Sequence, residues 1–96
     1  MRRVVVTGLG CVSPLGNSVD ETWAGVKAGK CGIATTTKYD VGPCRVKYCA
    51  EVKNFNAENY MDGAAARKMA PFSQFAVAAA KQALDDSGLM GKQDIL

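Results

Sequence analysis

The sequence contains no histidine. Ser-His-Asp and Cys-His nucleophilic catalysis therefore need a base that these residues do not supply. No apolar run approaches the ~18 residues of a membrane-spanning helix, so no membrane partner is expected. Four cysteines are present, Cys11, Cys31, Cys44 and Cys49, but no Cys-x-x-Cys pair. Zinc sites usually place ligands in close pairs, so a site built from all four thiols is disfavoured and no metal ligand is assigned. No secretory leader is expected, because Arg2 and Arg3 run straight into a short β-branched segment without an apolar core region. The thiols are thus read as reduced, small apolar residues rather than a disulfide framework, and the expected location is cytoplasmic. Charge of one sign is also scarce. The net charge is +3, and basic residues are scattered apart from Arg2-Arg3 and Arg67-Lys68. That falls short of the footprint of a nucleic-acid binder.

What remains is ordinary for a soluble domain: 48% apolar and 22% charged residues in a chain of 96. Such a length holds one small domain that buries only about 60–65% of its unfolded surface. Val4-Val5-Val6-Thr7, continued by Leu9, reads as a strand buried on both faces, as in a parallel or mixed sheet. Ser18-x-x-Glu21 forms a capping box, and Val19, Trp23 and Val26 make one apolar stripe. Gly29 suits a left-handed stop, which places a helix over 19–28. Between Cys31 and Phe55 the pattern weakens to short extended pieces at Gly32–Ala34 and Cys49–Val52, with a helical turn near Ala57–Met61. The strongest element is a helix over 71–87. Pro71 opens it, and Met69, Phe72, Ala76, Ala79 and Ala83 form a stripe of mostly small residues. Gly88 ends it, with Leu84 and Leu89 at the two contact positions of a Schellman motif.

The opening stretch, VVVTGLGCVSPLG, invites two chemical readings. A dinucleotide fingerprint needs Gly-x-Gly-x-x-Gly, yet Ser13 holds the third position and the next helix starts too late to receive a pyrophosphate at Gly10. Asp40, at the spacing of the ribose-binding acid, follows no convincing strand. No cofactor is expected. Cys11 as a nucleophile needs a helix N-terminus, a cation or a histidine to lower its pKa, and its neighbours in sequence offer none. Gly8 and Gly10 are better explained by a tight turn and close backbone packing.

One strand, two good helices and two weak extended pieces do not close a sheet. The chain reads as the start of a larger α/β domain. In that light the stretches RRVVVTGLGCVSPLGNSVDETWAGVKAGKCGI, YDVGPC, AEVKNFNAENYM and ARKMAPFSQFAVAAAKQALDDSGL are informative in combination. In order and spacing they resemble the N-terminal part of a β-ketoacyl-acyl-carrier-protein synthase, most similar to the elongating, type II enzymes of fatty acid synthesis.

The resemblance implies an α/β fold, the incomplete N-terminal portion of a thiolase-like α-β-α-β-α arrangement. Residues 1–96 are then an N-terminal fragment of the synthase N-terminal domain, and Val4–Leu9 is the first strand of its core sheet. It implies a homodimer in the full-length family and acyl carrier protein, acyl- or malonyl-loaded, as partner. The implied activity moves an acyl chain onto a cysteine and condenses it with malonyl-carrier protein, with loss of carbon dioxide. The family's nucleophile lies in a Thr-Ala-Cys-type motif beyond residue 96 and its two histidines later still. No catalytic residue is therefore carried over to Cys11, Cys31, Cys44 or Cys49, and the chain alone is expected to be inactive. Basic residues just before the FSQF helix dock the acidic carrier protein in relatives, and Arg67 and Lys68 match them. Two departures stand beside them: Ala64 replaces a frequently basic residue, and Ala70 replaces the usual Asp N-cap. Other readings stay open: a stand-alone module that binds carrier protein or a synthase, and a polyketide ketosynthase or chain-length-factor relative. A dinucleotide-dependent oxidoreductase is disfavoured.

Overall fold

The computed structural model of the chain describes residues 2–37, 40, 42–43 and 45–89. Its elements in order are helix α1 (Val19–Lys27), strands β1 (Ile33–Thr35) and β2 (Tyr48–Ala50), a 3-10 turn (Ala57–Asn59), and helices α2 (Gly63–Arg67) and α3 (Pro71–Ser87).

Helix α3 has the bounds that the sequence predicts, and the other elements gather around it. Pro71 takes a first-turn position where its missing N–H is harmless. Ala70 stands at the N-cap and provides no side-chain hydrogen bond. Ala70→Asp should therefore stabilise the helix by about 1 kcal/mol, read as an upward shift of the helical far-UV signal on heating. At the other end Gly88 adopts φ 74°, the left-handed stop. The Schellman bond expected from Leu89 is replaced by a side-chain device. Ser87 Oγ donates to the Leu84 carbonyl at 2.8 Å and accepts from the Leu89 N–H at 3.2 Å.

Helix α1 starts as read: Ser18 Oγ accepts the Glu21 N–H at 3.2 Å. Glu21 reaches one residue further back than a capping box requires, accepting the Asn17 N–H at 2.8 Å. A full Schellman pair closes the helix, with Gly29 N–H on the Val26 carbonyl and Lys30 N–H on the Gly25 carbonyl. Its predicted apolar stripe is largely uncovered, since Trp23 is 58% and Val26 52% exposed.

The opening segment departs from expectation. Residues 2–10 belong to no strand among the described residues, and Val4, Val5, Val6 and Leu9 are all exposed. The predicted strand, buried on both faces, is thus absent as a sheet element here. The sheet that exists is a separate antiparallel ribbon, β1–β2, with Ala34 opposite Cys49. Too short to recruit other strands, it is pinned by the buried Thr36, whose N–H donates to the Lys47 carbonyl and whose hydroxyl donates to Cys49 Sγ at 3.0 Å.

Glycine packing holds the opening segment instead. A Cβ on Gly8 would run into the Ala83 carbonyl and lie 2.6 Å from Ser87 N; one on Gly10 would run into the Ala79 carbonyl and lie 2.8 Å from Ala83 N. The small residues of α3 and the two glycines therefore let backbone approach backbone.

The apolar interior is small. Among the described residues Ala66 and Ala78 are its buried hydrophobic members, and Phe55 stacks on Tyr60 at 5.9 Å and meets Phe75 edge-on at 5.0 Å. The radius of gyration is 16.5 Å, against roughly 12–13 Å for a compact domain of this length.

Candidate functional site

Arg67 and Lys68 sit at the corner between α2 and α3. Arg67 is the last residue of α2 and Lys68 its C-cap, and both are exposed. Two bonds close this end, Lys68 N–H to the Ala65 carbonyl and Met69 N–H to the Ala66 carbonyl, both 3.1 Å. Cations suit a helix C-terminus. Below them Ala66 is buried, and Gln74 Nε2 of α3 donates to its carbonyl at 2.8 Å. This bond fixes the corner, so the two cations project from a braced turn. Ala64 lies on the same helical face, at i−3 and i−4, and is exposed. The patch therefore carries two cations where the sequence resemblance expects a third. Among the described residues no carboxylate forms an ion pair with either cation.

The opening loop is committed to structure. Leu9 N–H donates to Asp86 Oδ2 and Cys11 N–H to Gln82 Oε1, each at 3.0 Å. With a carboxylate already on the Leu9 amide, this turn repels a phosphate rather than cradling one. Cys11 is half-buried with its thiol 3.5 Å from Thr22 Oγ1. Ser13, the residue in place of the third glycine, bonds the same Thr22 hydroxyl at 2.8 Å and pairs with Gly16 across the Pro14-Leu15 turn. Cys31 is exposed beside a cleft of about 390 Å³ between that turn and Lys53. Cys49 accepts from Thr36, and Cys44 lies outside the described residues.

Gln82 is the functional-looking residue that sequence reasoning misses. Its Oε1 holds Cys11, and its Nε2 donates to the Asn17 carbonyl at 2.7 Å and to Tyr60 Oη at 3.2 Å. An uncharged polar residue next to Ala83, on the small-residue stripe of α3, is the signal that could have marked it.

The beta-ketoacyl synthase N-terminal domain matches residues 1–94. The chain belongs to that family. It is 46% identical over 88 residues to 3-oxoacyl-[acyl-carrier-protein] synthase 2 of Vibrio cholerae, covering 92% of this chain and 21% of that protein. The namesake proteins of Staphylococcus aureus (strain COL) and Coxiella burnetii are 43% and 46% identical, each over 88 residues with the same shares. The chain thus spans about a fifth of the length of these relatives, 21% in each case. Among solved structures, "The ishigamide ketosynthase/chain length factor" superposes with a TM-score of 0.82 at 38% identity, over 92% of this chain and 22% of that one. The described helices and the small ribbon are consistent with part of a ketosynthase fold. Among the described residues no helix is long and apolar enough to cross a membrane.

Proposed function

We propose that this chain is the N-terminal part of an elongating 3-oxoacyl-[acyl-carrier-protein] synthase. Its residues then supply scaffold and carrier-protein docking to a decarboxylative condensation whose reacting groups lie elsewhere. The family match over residues 1–94, in a chain without a histidine, carries this reading. In the reaction an acyl group passes from its carrier thioester to a cysteine thiolate. Loss of carbon dioxide from malonyl-carrier protein gives a carbanion that attacks the acyl-enzyme carbonyl. Backbone N–H groups stabilise the resulting oxyanion.

In this reading Arg67 and Lys68 bind carboxylates of the carrier protein. Their exposure, their braced corner and their freedom from internal ion pairs among the described residues support it. The matching test is titration of the 96-residue chain with acyl carrier protein at low salt. Arg67→Glu with Lys68→Glu should raise Kd about tenfold and flatten its salt dependence. Unchanged affinity would remove both residues from the docking role. The same preparation should show no malonyl-dependent condensation.

A second reading follows from the ketosynthase/chain length factor resemblance. In a chain-length-factor relative the fold is kept while the reactive cysteine is lost. Reading the frame downstream of Leu96 separates the two: a Thr-Ala-Cys motif and two later histidines fit the condensing enzyme, and a replaced cysteine fits the non-condensing one.

A further inference from the structure

Helix α2 is too short to hold its own shape. It has five residues, opens on Gly63 and has no side-chain bond at its N-cap. Isolated helices shorter than about 12–15 residues are marginal in water. The positions of Arg67 and Lys68, at its far end, must therefore be set from outside the helix.

Among the described residues one side chain does this. Gln74, half-buried on α3, donates from Nε2 to the Ala66 carbonyl at 2.8 Å. The same carbonyl accepts the Met69 N–H at 3.1 Å, so both of its lone pairs are used. Ala66 directly precedes the two cations and is 6% exposed. The donor stands on a helix of 17 residues, closed by the left-handed Gly88. A long, well-ended helix thus grips the short one at the residue before the basic pair. The direction of that pair matters, because a carboxylate lies close by. A Cβ placed on Gly63 would lie 3.1 Å from Glu58 Oε1 and 3.5 Å from Arg67 Nη1. The two groups flank one point without forming an ion pair, so a small rotation of the last turn of α2 decides whether Arg67 faces a partner or Glu58.

We infer that Gln74 is a positioning residue for carrier-protein docking: it touches no partner itself and acts by holding Arg67 and Lys68 in the geometry that binds. This rests on the reading that those two cations bind carboxylates of the carrier protein. Its physical content is preorganisation. Without the Gln74 donor the last turn of α2 samples other arrangements, and the apparent affinity falls by the fraction of chains that keep the competent one. The charges that meet in the complex stay the same, so the salt dependence of binding is unchanged. That pattern separates a lost brace from a lost charge, which alters both.

Titration of the chain with acyl carrier protein over a series of salt concentrations tests it. Gln74→Met keeps the length of the side chain and removes the donor; it should raise Kd about fivefold with the salt slope of the wild type. Gln74→His at about pH 8 offers a neutral ring with an N–H donor, and should return Kd to within about twofold of wild type. Gln74→Ala lacks the donor but favours helix, so it should match Gln74→Met and keeps the test open if the methionine variant loses its helical far-UV signal. Arg67→Glu with Lys68→Glu serves as the comparison. If that charge reversal weakens binding while Gln74→Met and Gln74→Ala do not, the positioning role is overturned and the docking reading stands. If the charge reversal has no effect, both fall, whatever the Gln74 variants do. A flattened salt slope in Gln74→Met, or no recovery in Gln74→His, would also overturn the inference.

Discussion

Gly10→Ala should speed amide hydrogen exchange at Cys11 about 30-fold, a loss near 2 kcal/mol in the local opening free energy. The added methyl would collide with the Ala79 carbonyl and lie 2.8 Å from Ala83 N. Both are helix backbone, which cannot swing aside as a side chain can. Relief requires the loop to lift from α3, and lifting breaks the 3.0 Å bond from Cys11 N–H to Gln82. Gly8→Ala meets the same wall two positions earlier, but near the end of α3, where Ser87 and Gly88 leave the chain more room to yield. Its effect should be smaller. Equal protection in wild type and Gly10→Ala would mean that the loop does not lie on α3 in solution.

Gln82→Leu should lower stability by about 2–4 kcal/mol, seen as loss of exchange protection at Cys11 together with freer motion of the Tyr60 ring. Leucine fills a similar volume, so packing is nearly conserved and the polar term dominates. The substitution leaves the Cys11 N–H and the Asn17 carbonyl without partners in a part-buried setting, each worth about 1–3 kcal/mol. The Tyr60 hydroxyl loses its Gln82 donor as well. Gln82→Glu separates the contributions. It keeps an acceptor for Cys11 but loses the donor to Asn17 and Tyr60, so it should fall between wild type and leucine. If leucine and glutamate behave alike, the bond to Cys11 contributes nothing.

The two long helices were legible because their ends are written in local chemistry. Pro71 and Gly88 bound α3, while Ser18 and Gly29 bound α1, each acting within a few residues. Helix α2 carries no such mark: Asp62 at its N-cap makes no side-chain bond, and the helix is one alanine-rich turn and a little more. The opening segment failed for the opposite reason. Its β-branched run is a sound strand signal, but a strand is made by its neighbours, and β1 and β2 pair with each other. The stripe on α3 was half legible. Ala79 and Ala83 face the glycines as a small-residue stripe suggests, whereas Phe72 is 76% exposed and the buried position belongs to Ala78. Helical spacing names residues that share a face; it does not say which face meets protein. At the candidate site, Arg67 and Lys68 were visible as an adjacent basic pair. The Gln74 brace beneath them was not, because a bond spanning eight residues to a backbone carbonyl leaves no trace in composition.

The anchors of the opening loop also carry a statement about time. Leu9 is held by a residue 77 positions later, Cys11 by one 71 later, and Asn17 by one 65 later. On a ribosome adding about 5–20 residues per second, the valine run is made several seconds before any part of α3 that can hold the adjoining loop. During that interval the loop has no helix to fold onto, and the Leu9 and Cys11 N–H groups wait for the partners that α3 supplies. Slowing translation just before the codons for α3 would lengthen the exposure, and the yield of soluble chain should fall with the length of the pause.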